Sequence, residues 1–311
     1  MNATVTTGDQ ADSLRQLATS VKKQRKAAAA RPQEGMNAKG VRVISVTSGK
    51  GGVGKSNVVV NLSLALASRG KKVLVIDADL GLGNIDVLLG LTPDYTLNDV
   101  FAGRKRLEEI IVEGPGGIRI IPAGSGLPDF TSLGLQERVK IMDELDALEE
   151  EFDILVIDTE AGISDNVAYF NTASQEIVVV VTPEPTSITD VYALIKLLAT
   201  RHSERYFKVL VNMAKDTDDA LQVFAKLSNV TSRFLDISLD YLGCVLKDET
   251  LVEAVKSQKP VIELFPDSPV SACFTTLARR VLENGGERRV KGNVQFFFRR
   301  FLGSGAVMES A

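Results

Sequence analysis

The sequence predicts an α/β fold with a doubly wound, mostly parallel sheet flanked by helices. Strand-like runs alternate along the chain with helical patterns, and this order is typical of parallel sheets. The runs are apolar almost throughout, as in residues 73–76 (VLVI) and 177–181 (IVVVV), which is the composition of strands covered on both faces. A glycine-rich loop also stands between the first strand and the helix that follows it.

Three parts of the chain can be distinguished. Residues 1–40 form a polar arm with a short helical pattern and a linker, residues 41–285 form the α/β body, and residues 286–311 form a separate tail. Residues 251–285 hold the last helix or two of the body. The predicted strands of the body are 41–47, 73–77, 118–122, 153–158, 176–182, 207–212 and 240–245.

The composition bounds the class of protein. With 311 residues, 44% of them hydrophobic, the chain can bury a sizeable core. No apolar run approaches the roughly 20 residues that span a bilayer, and no secretory leader is recognisable, so we expect a cytoplasmic protein. Cys244 and Cys273 lie far apart and form no CxxC pair, which argues against a disulfide framework or an iron–sulfur site.

Charge is distributed unevenly. Residues 1–42 contain eight basic and three acidic residues, and residues 286–311 contain five and two, so the ends carry +5 and +3. Because the whole chain carries −4, the part between them carries −12. An acidic body argues against direct nucleic-acid binding, and two basic ends indicate interaction arms.

Residues 49–56 (GKGGVGKS) match the P-loop pattern G-x-x-x-x-G-K-[ST]. The glycines let backbone N–H groups turn toward phosphate oxygens, Lys55 reaches the β- and γ-phosphates, and the Ser56 hydroxyl can ligate Mg²⁺. The flanking strand and helix patterns place the phosphates at a helix N-terminus, which favours anions. The expected nucleotide-binding residues are Gly49, Lys50, Gly51, Gly52, Val53, Gly54, Lys55, Ser56 and Asn57.

Carboxylates stand at the ends of two predicted strands. The second strand ends in Asp77, Ala78 and Asp79, and the fourth ends in Asp158 after four apolar residues. Ligands of open α/β sheets bind beyond the carboxyl ends of strands, so these carboxylates can hold Mg²⁺ together with Ser56. A strand-end aspartate can instead cap the next helix, but two such sites on one sheet favour the Mg²⁺ interpretation.

Two further positions are candidates for ligand contact. Gly162 follows Asp158 by four residues and permits a switch loop to approach the γ-phosphate. Asn212 ends the sixth predicted strand, and its amide carries the donor and the acceptor needed to read the edge of adenine. A simple turn residue is the alternative interpretation of Asn212.

These motifs together resemble the deviant-Walker ATPases of the MinD/ParA family, in the SIMIBI class. The resemblance rests on residues 48–56 (SGKGGVGKS), 77–84 (DADLGLGN), 158–162 (DTEAG) and 182–185 (TPEP), and it covers residues 41–283 approximately. It implies a P-loop NTPase fold that hydrolyses ATP to ADP with Mg²⁺, and a homodimer that forms with ATP. Hydrolysis is then slow and coupled to the dimer and to a membrane, so the protein acts as a switch.

The resemblance also implies roles for individual residues. Lys50 matches the signature lysine, which crosses the dimer interface to the nucleotide of the partner subunit. Asp79 matches the switch I aspartate that positions the attacking water, and Asp77 supports it near Mg²⁺. Asp158 matches the Walker B aspartate, and Asn212 matches the asparagine that contacts adenine.

Two segments depart from the family pattern. Val245, Lys247 and Asp248 resemble the second loop that contacts adenine, but Lys247 stands where the family often has proline. Glu160 replaces the usual small residue of switch II and adds a negative charge near the phosphates.

Residues 290–302 (VKGNVQFFFRRFL) form a basic amphipathic pattern with most of its apolar side chains on one helical face and Phe296 pointing off that face. Such a helix suits the surface of an anionic membrane, and the two tails of a dimer bind more tightly than one. The tail of MinD-type proteins is similar, whereas packing onto the same chain is the alternative. The residues expected to contact anionic inner-membrane lipids are Val294, Phe297, Phe298, Phe301 and Leu302.

Residues 9–15 (DQADSLR) resemble the DQAxxLR element of the FlhG family, which is also called FleN or YlxH. With the body and the tail, this element makes FlhG the best match, whereas a disordered leader is the alternative for the segment alone. The match implies control of flagellar number and placement with an FlhF-type GTPase of the signal-recognition class, flagellar C-ring proteins and a flagellar transcription regulator. The expected partner-binding residues are Asp9, Gln10, Ala11, Leu14 and Arg15.

Four other interpretations remain open. A division-site MinD shares the body and the tail but lacks the N-terminal element. A ParA-type partitioning ATPase needs a DNA-binding surface, which the acidic body disfavours. An iron–sulfur carrier ATPase needs a CxxC pair, and a binding module without catalysis is disfavoured by the presence of Lys50, Asp79 and Asp158.

Overall fold

The computed structural model describes residues 41–79, 83–124, 144–145, 147–148 and 151–283. The predicted N-terminal arm and C-terminal tail lie outside the described residues, and so do the partner-binding residues within 9–15 and the membrane-binding residues within 294–302. Residues 80–82 of the second family motif also lie outside them.

Strands within the described residues form a single sheet whose neighbouring strands are parallel, except for one antiparallel pair at an edge. Their bounds are β1 (Arg42–Ser48), β2 (Val73–Ala78), β3 (Val112–Glu113), β4 (Arg119–Ile121), β5 (Ile154–Ala161), β6 (Glu176–Val181), β7 (Tyr206–Ala214) and β8 (Ser238–Leu246). The order across the sheet is β3-β4-β2-β5-β1-β6-β7-β8. The predicted doubly wound, mostly parallel sheet is therefore confirmed.

Three details of the strand prediction are corrected. The antiparallel β3 was not predicted, because two residues carry no periodic signal. Strand β5 continues to Ala161, which pairs with Ser48, so Asp158 lies inside the strand rather than at its end. Strand β7 continues to Ala214, which pairs with Leu246, so Asn212 also lies inside its strand.

Helices follow most strands and cover both faces of the sheet. None of those in the described part of the chain combines the length and the apolarity that a membrane crossing demands. Three helices, rather than one or two, occupy the region after β8. The bounds are α1 (Lys55–Ala67), α2 (Ile85–Leu88), α3 (Leu97–Phe101), α4 (Asp165–Ala173), α5 (Pro185–His202), α6 (Thr217–Phe234), α7 (Glu249–Lys256), α8 (Val261–Leu264) and α9 (Pro269–Glu283).

The core consists of two layers, because alternate residues of a strand point to opposite faces of the sheet. Val178 and Val180 of β6 pack in the layer that contains α1 and α9. Val179 of β6 packs on the opposite face with α5 and α6. Both faces are thus apolar, which explains the continuous hydrophobic runs in the sequence.

A charged cluster joins strands and the last helix at the amino edge of the sheet. Glu176 of β6 accepts hydrogen bonds from the Arg42 guanidinium of β1, including one of 2.8 Å from Nη2, and from Lys208 Nζ of β7 at 2.7 Å. Arg42 Nη1 also donates to the carbonyl oxygen of Val281 in α9 at 2.6 Å. These side chains are mostly buried, so the cluster fixes three strands and α9 at one place.

Candidate nucleotide-binding site

The P-loop lies between β1 and α1. Strand β1 has β5 on one side and β6 on the other, and the chain adds strands first on the β5 side and then on the β6 side, so the loop lies at the switch point of the sheet. Gly49 has no room for a side chain, because a Cβ would lie 2.2 Å from the carbonyl carbon of Asp190. Gly54 precedes α1 with a left-handed φ of 80°, a conformation that glycine adopts readily. Both glycines are therefore required by this loop, which ends at the N-terminus of a helix as predicted.

Two carboxylates and one lysine are buried together beside the loop. Asp77 of β2 and Asp158 of β5 are register partners on neighbouring strands, and their exposed fractions are 2% and 1%. Lys55, 7% exposed, donates a hydrogen bond to Asp158 Oδ1. Since a buried charge needs an opposite charge, one ammonium leaves a negative charge without full compensation. The arrangement fits a cation between the strands and the P-loop.

The pKa values of both carboxyl groups reflect their burial first and the neighbouring negative charge second. Burial and the neighbouring Asp158 raise the pKa of Asp77 to about 7. Burial also raises the pKa of Asp158, although the Lys55 ammonium and the Ser56 hydroxyl act in the opposite direction. A divalent cation at this place would remove the repulsion that favours the protonated forms.

Asp77 also organises the chain that follows β2. Its Oδ1 accepts a hydrogen bond from the backbone N–H of Asp79 at 3.1 Å, and its Oδ2 accepts from those of Asn84 at 2.9 Å and Ile85 at 3.1 Å. Gly83 packs so closely that a Cβ would lie 3.1 Å from Asp77 Oδ2. The backbone of Asp79 is thus held beside the carboxylate pair.

Within the described ranges, no three His, Cys, Asp or Glu side chains converge into a group that could hold a metal ion by themselves. Mg²⁺ usually keeps waters and takes substrate phosphates as ligands, with only one or two carboxylates. Ser56 with one or two of the predicted carboxylates Asp77, Asp79 and Asp158 would therefore fit Mg²⁺ that shares its coordination with a nucleotide. Their assignment as ligands stays a prediction.

Asn212 of β7 is oriented by the P-loop. Its Nδ2 donates to the carbonyl oxygen of Val53 at 2.7 Å, and a Cβ on Gly54 would lie 2.4 Å from the same nitrogen. Asn212 is 1% exposed, and its Oδ1 has no hydrogen-bond partner among the described residues. Because a buried acceptor without a partner is costly, this oxygen is suited to a donor on a bound ligand. The amino group of adenine is such a donor.

The predicted second adenine loop lies beside Asn212. The backbone N–H of Lys247 donates to the carbonyl oxygen of Ala214 at 2.8 Å, which ties the two segments together. The side chain of Val245 is fully buried in the core, and Asp248 caps α7 by accepting from the Thr250 N–H at 2.8 Å. Ligand contacts of this loop would therefore come mainly from its backbone and from Lys247.

Lys50 is bound within its own chain. Its Nζ donates to Glu184 Oε2 and, at 3.0 Å, to Thr186 Oγ1, both of which are exposed residues at the start of α5. Glu184 belongs to the family motif at residues 182–185 but has no predicted role, and Thr186 has no predicted role either. Their separation from Lys50 exceeds 130 residues, so only the fold brings them together.

The switch II segment after β5 is tied to the P-loop and to α4. The backbone N–H of Gly162 donates to the carbonyl oxygen of Ser48 at 2.9 Å. Glu160 accepts a hydrogen bond from the hydroxyl of Ser164, which caps α4. The additional negative charge of Glu160 is therefore directed at the N-terminus of a helix, where it is favoured.

A family model described as an AAA domain matches residues 41–209. The antiactivator FleN of Pseudomonas aeruginosa is 47% identical over 262 residues, which are 84% of this chain and 94% of that protein. The flagellum site-determining protein YlxH of Helicobacter pylori is 32% identical, with 84% and 90% of the two chains covered. The chain belongs to the FlhG family of MinD/ParA-type ATPases.

A solved structure of a similar protein contains a bound nucleotide and Mg²⁺. The septum site-determining protein MinD from Pyrococcus horikoshii, complexed with Mg-ADP, superposes with a TM-score of 0.63 at 25% identity and covers 81% of this chain and 99% of its own. The predicted cofactors, adenine nucleotide and Mg²⁺, are confirmed for the family, and so is general ATPase activity.

Proposed function

We propose that this chain is an ATP-dependent dimerising switch that cycles on the inner face of the cell membrane and controls flagellar number and placement. The observation that carries the proposal is the 47% identity to antiactivator FleN over 84% of this chain, together with the P-loop and the buried carboxylates beside it. YlxH, a flagellum site-determining protein, supports the same process.

The site residues then divide the catalytic work. The P-loop backbone and Lys55 bind the phosphates, Ser56 and Asp158 hold Mg²⁺, and Asp79 orients the attacking water. Mg²⁺ neutralises phosphate charge when bound. Phosphoryl transfer depends mainly on positioning and charge neutralisation, so this set is sufficient for slow hydrolysis.

Dimerisation connects hydrolysis to localisation. Lys50 leaves its partners in its own chain and contacts the nucleotide of a second subunit, so ATP favours the dimer. Two tails on one particle bind anionic lipids more tightly than one, and hydrolysis returns monomers to the cytoplasm. The N-terminal arm, with Gln10 as its main polar group, activates the FlhF-type GTPase. C-ring proteins and a flagellar transcription regulator complete the partners.

The experiment that tests the flagellar role measures GTP hydrolysis by the FlhF protein of the same organism. Full-length chain is added with Mg-ATP, and a Gln10→Ala variant serves as the matched control. Stimulation that the Gln10→Ala variant fails to produce supports the proposal. Equal rates with both proteins, or no stimulation, would contradict it.

A division-site role is the second candidate, because the septum site-determining protein MinD shares the fold over 81% of this chain. A ParA-type role on DNA is less favoured, since the body is acidic. Deletion of the gene separates the first two: altered flagellar number with normal septa favours the flagellar role, whereas misplaced septa favour division control. Salt-sensitive, ATP-dependent retention on DNA would favour the third.

A further inference from the structure

Met213, directly after Asn212, has an unusual backbone conformation. Its φ of 58° lies in the left-handed region, which residues other than glycine adopt rarely and at a cost in energy. A strained residue of this kind persists when its surroundings hold it there, and such residues cluster at ligand sites. Met213 is also 38% exposed, so part of its side chain is accessible to a ligand.

A β-bulge explains how Met213 comes to point away from the core. Val211 pairs with Cys244 and Ala214 pairs with Leu246, so three steps along β7 match two along β8. Val211 and Ala214 therefore both pack on the α5–α6 face, although strict alternation would place them on opposite faces. Met213 is the extra residue, and the bulge frees its side chain from both core layers.

The freed side chain lies over the end of the P-loop. A Cβ placed on Gly54 would lie 3.4 Å from Met213 Cε and 2.4 Å from Asn212 Nδ2, so both side chains border the same glycine. Asn212 Oδ1 is buried without a hydrogen-bond partner among the described residues, and the loop that carries Lys247 is bonded to Ala214. An amide with an unpartnered acceptor, an apolar thioether and a phosphate loop thus lie next to one another.

We propose that Met213 is a nucleotide-binding residue whose thioether packs against the adenine ring while Asn212 Oδ1 accepts from the amino group of that ring. A flexible, polarisable thioether forms favourable contacts with aromatic rings. The cost of the left-handed backbone is then offset by contact with the base. This inference rests on the proposed ATP site but not on the flagellar, membrane or dimer roles.

The test compares two ligands on full-length variants by calorimetry. Mg-ADP contains the base, and inorganic pyrophosphate with Mg²⁺ contacts only the phosphate loop. Met213→Gly removes the thioether and accepts the left-handed backbone, so it should fold, and its thermal midpoint should equal or exceed that of the parent. We expect it to bind Mg-ADP about three- to tenfold more weakly and pyrophosphate within twofold of the parent.

Two variants serve as controls. Met213→Leu keeps an apolar side chain of similar volume and should restore Mg-ADP binding to within about threefold of the parent. Ser203→Gly relieves a left-handed φ of 60° at the end of α5, away from the P-loop, and should leave both affinities unchanged. Equal loss of both ligands in Met213→Gly, or no loss of Mg-ADP, would overturn the proposal. Failure of the parent to bind Mg-ADP would instead contradict the proposed nucleotide-binding site itself.

Discussion

Lys50 is hydrogen-bonded to Glu184 of its own chain, so the residue expected to cross a dimer interface has a competing partner before dimerisation. Glu184 is 63% exposed and Lys50 is 31% exposed, and exposed ion pairs of this kind contribute only about 0.2–1 kcal/mol. The contact is thus strong enough to orient Lys50 and weak enough to be replaced by a nucleotide phosphate.

Glu184→Gln should promote ATP-dependent dimerisation, because it weakens the partner that holds Lys50 in the monomer. The expected change is a decrease of about two- to fivefold in the dimer dissociation constant, measured by analytical ultracentrifugation with Mg-ATP. Glu108→Gln removes another exposed glutamate ion pair and should have no effect. Lys50→Ala should abolish the dimer, and unchanged dimers in that variant would refute the crossing role.

Asp79→Ala should stop hydrolysis without preventing dimerisation. The attacking water loses its orienting carboxylate, and a misplaced nucleophile lowers the rate by about 100-fold or more. Dimers should accumulate on gel filtration with Mg-ATP, because ATP binding is retained and its removal is blocked. If the variant stayed monomeric, Asp79 would have a structural role in the loop that Asp77 organises.

Asn212 should determine base selection through a single acceptor atom. One N–H of its Nδ2 is bonded to Val53, and its Oδ1 has no partner among the described residues, so Oδ1 is the acceptor offered to the ligand; this oxygen favours an amino group over a carbonyl. Mg-ADP should therefore bind about fivefold more tightly than Mg-IDP, which carries a carbonyl at the same ring position. Asn212→Leu should bring the ratio of the two dissociation constants close to one, and an unchanged ratio would exclude this role.

Glu176→Gln should destabilise the body at neutral pH and less so in acid. Burial opposes ionisation of Glu176, but Arg42 and Lys208 outweigh it and hold the pKa below its usual value of 4.5. The ionised form thus contributes stability above pH 4.5, and this contribution is lost as the pH falls through the lowered pKa.

The measurement is urea unfolding of the parent and Glu176→Gln at pH 7 and at progressively lower pH. We expect a difference of about 1–3 kcal/mol at pH 7, since Arg42 and Lys208 lose a buried acceptor, and a smaller difference in acid. The exposed Glu253→Gln provides the control. A difference independent of pH would mean that packing, rather than charge, explains the loss.

Phe297→Glu should release the ATP-bound protein from anionic vesicles. The substitution places a carboxylate on the apolar face of the predicted tail helix, and losing one buried phenylalanine should weaken binding by about tenfold or more. Phe296→Glu introduces the same charge off that face and should weaken vesicle co-sedimentation much less. Equal losses in the two variants would indicate attraction by charge alone.

The parallel sheet could be predicted because most of its long strands contain an apolar run, and the P-loop could be predicted because its residues are contiguous. β3 could not, since a two-residue strand depends on its neighbour β4 for definition. The sequence predicted only that Asp77 and Asp158 lie at the same edge of the sheet. It did not predict that they are register partners, because the register is set by packing of the sheet.

Contacts across large separations in sequence were beyond prediction. Nothing local indicates that Thr186 contacts Lys50, or that the amide nitrogen of Asn212 is used by Val53. The left-handed Met213 was also invisible, because methionine has no preference for that conformation and a bulge in β7 imposes it. The sequence thus predicted candidate residues of the site, while the fold determines which of their atoms are available.

The hydrogen bond between Arg42 and the carbonyl of Val281 has a consequence for how a signal could leave this protein. It places the entry into β1 and the end of α9 side by side at the amino edge, whereas the P-loop lies at the other end of a seven-residue strand, about 20 Å away. A membrane bound beside the end of α9 would therefore be too distant to contact a γ-phosphate directly. Under the proposed dimer and membrane roles, a membrane at that edge would respond to the number of joined chains rather than to the nucleotide of each chain.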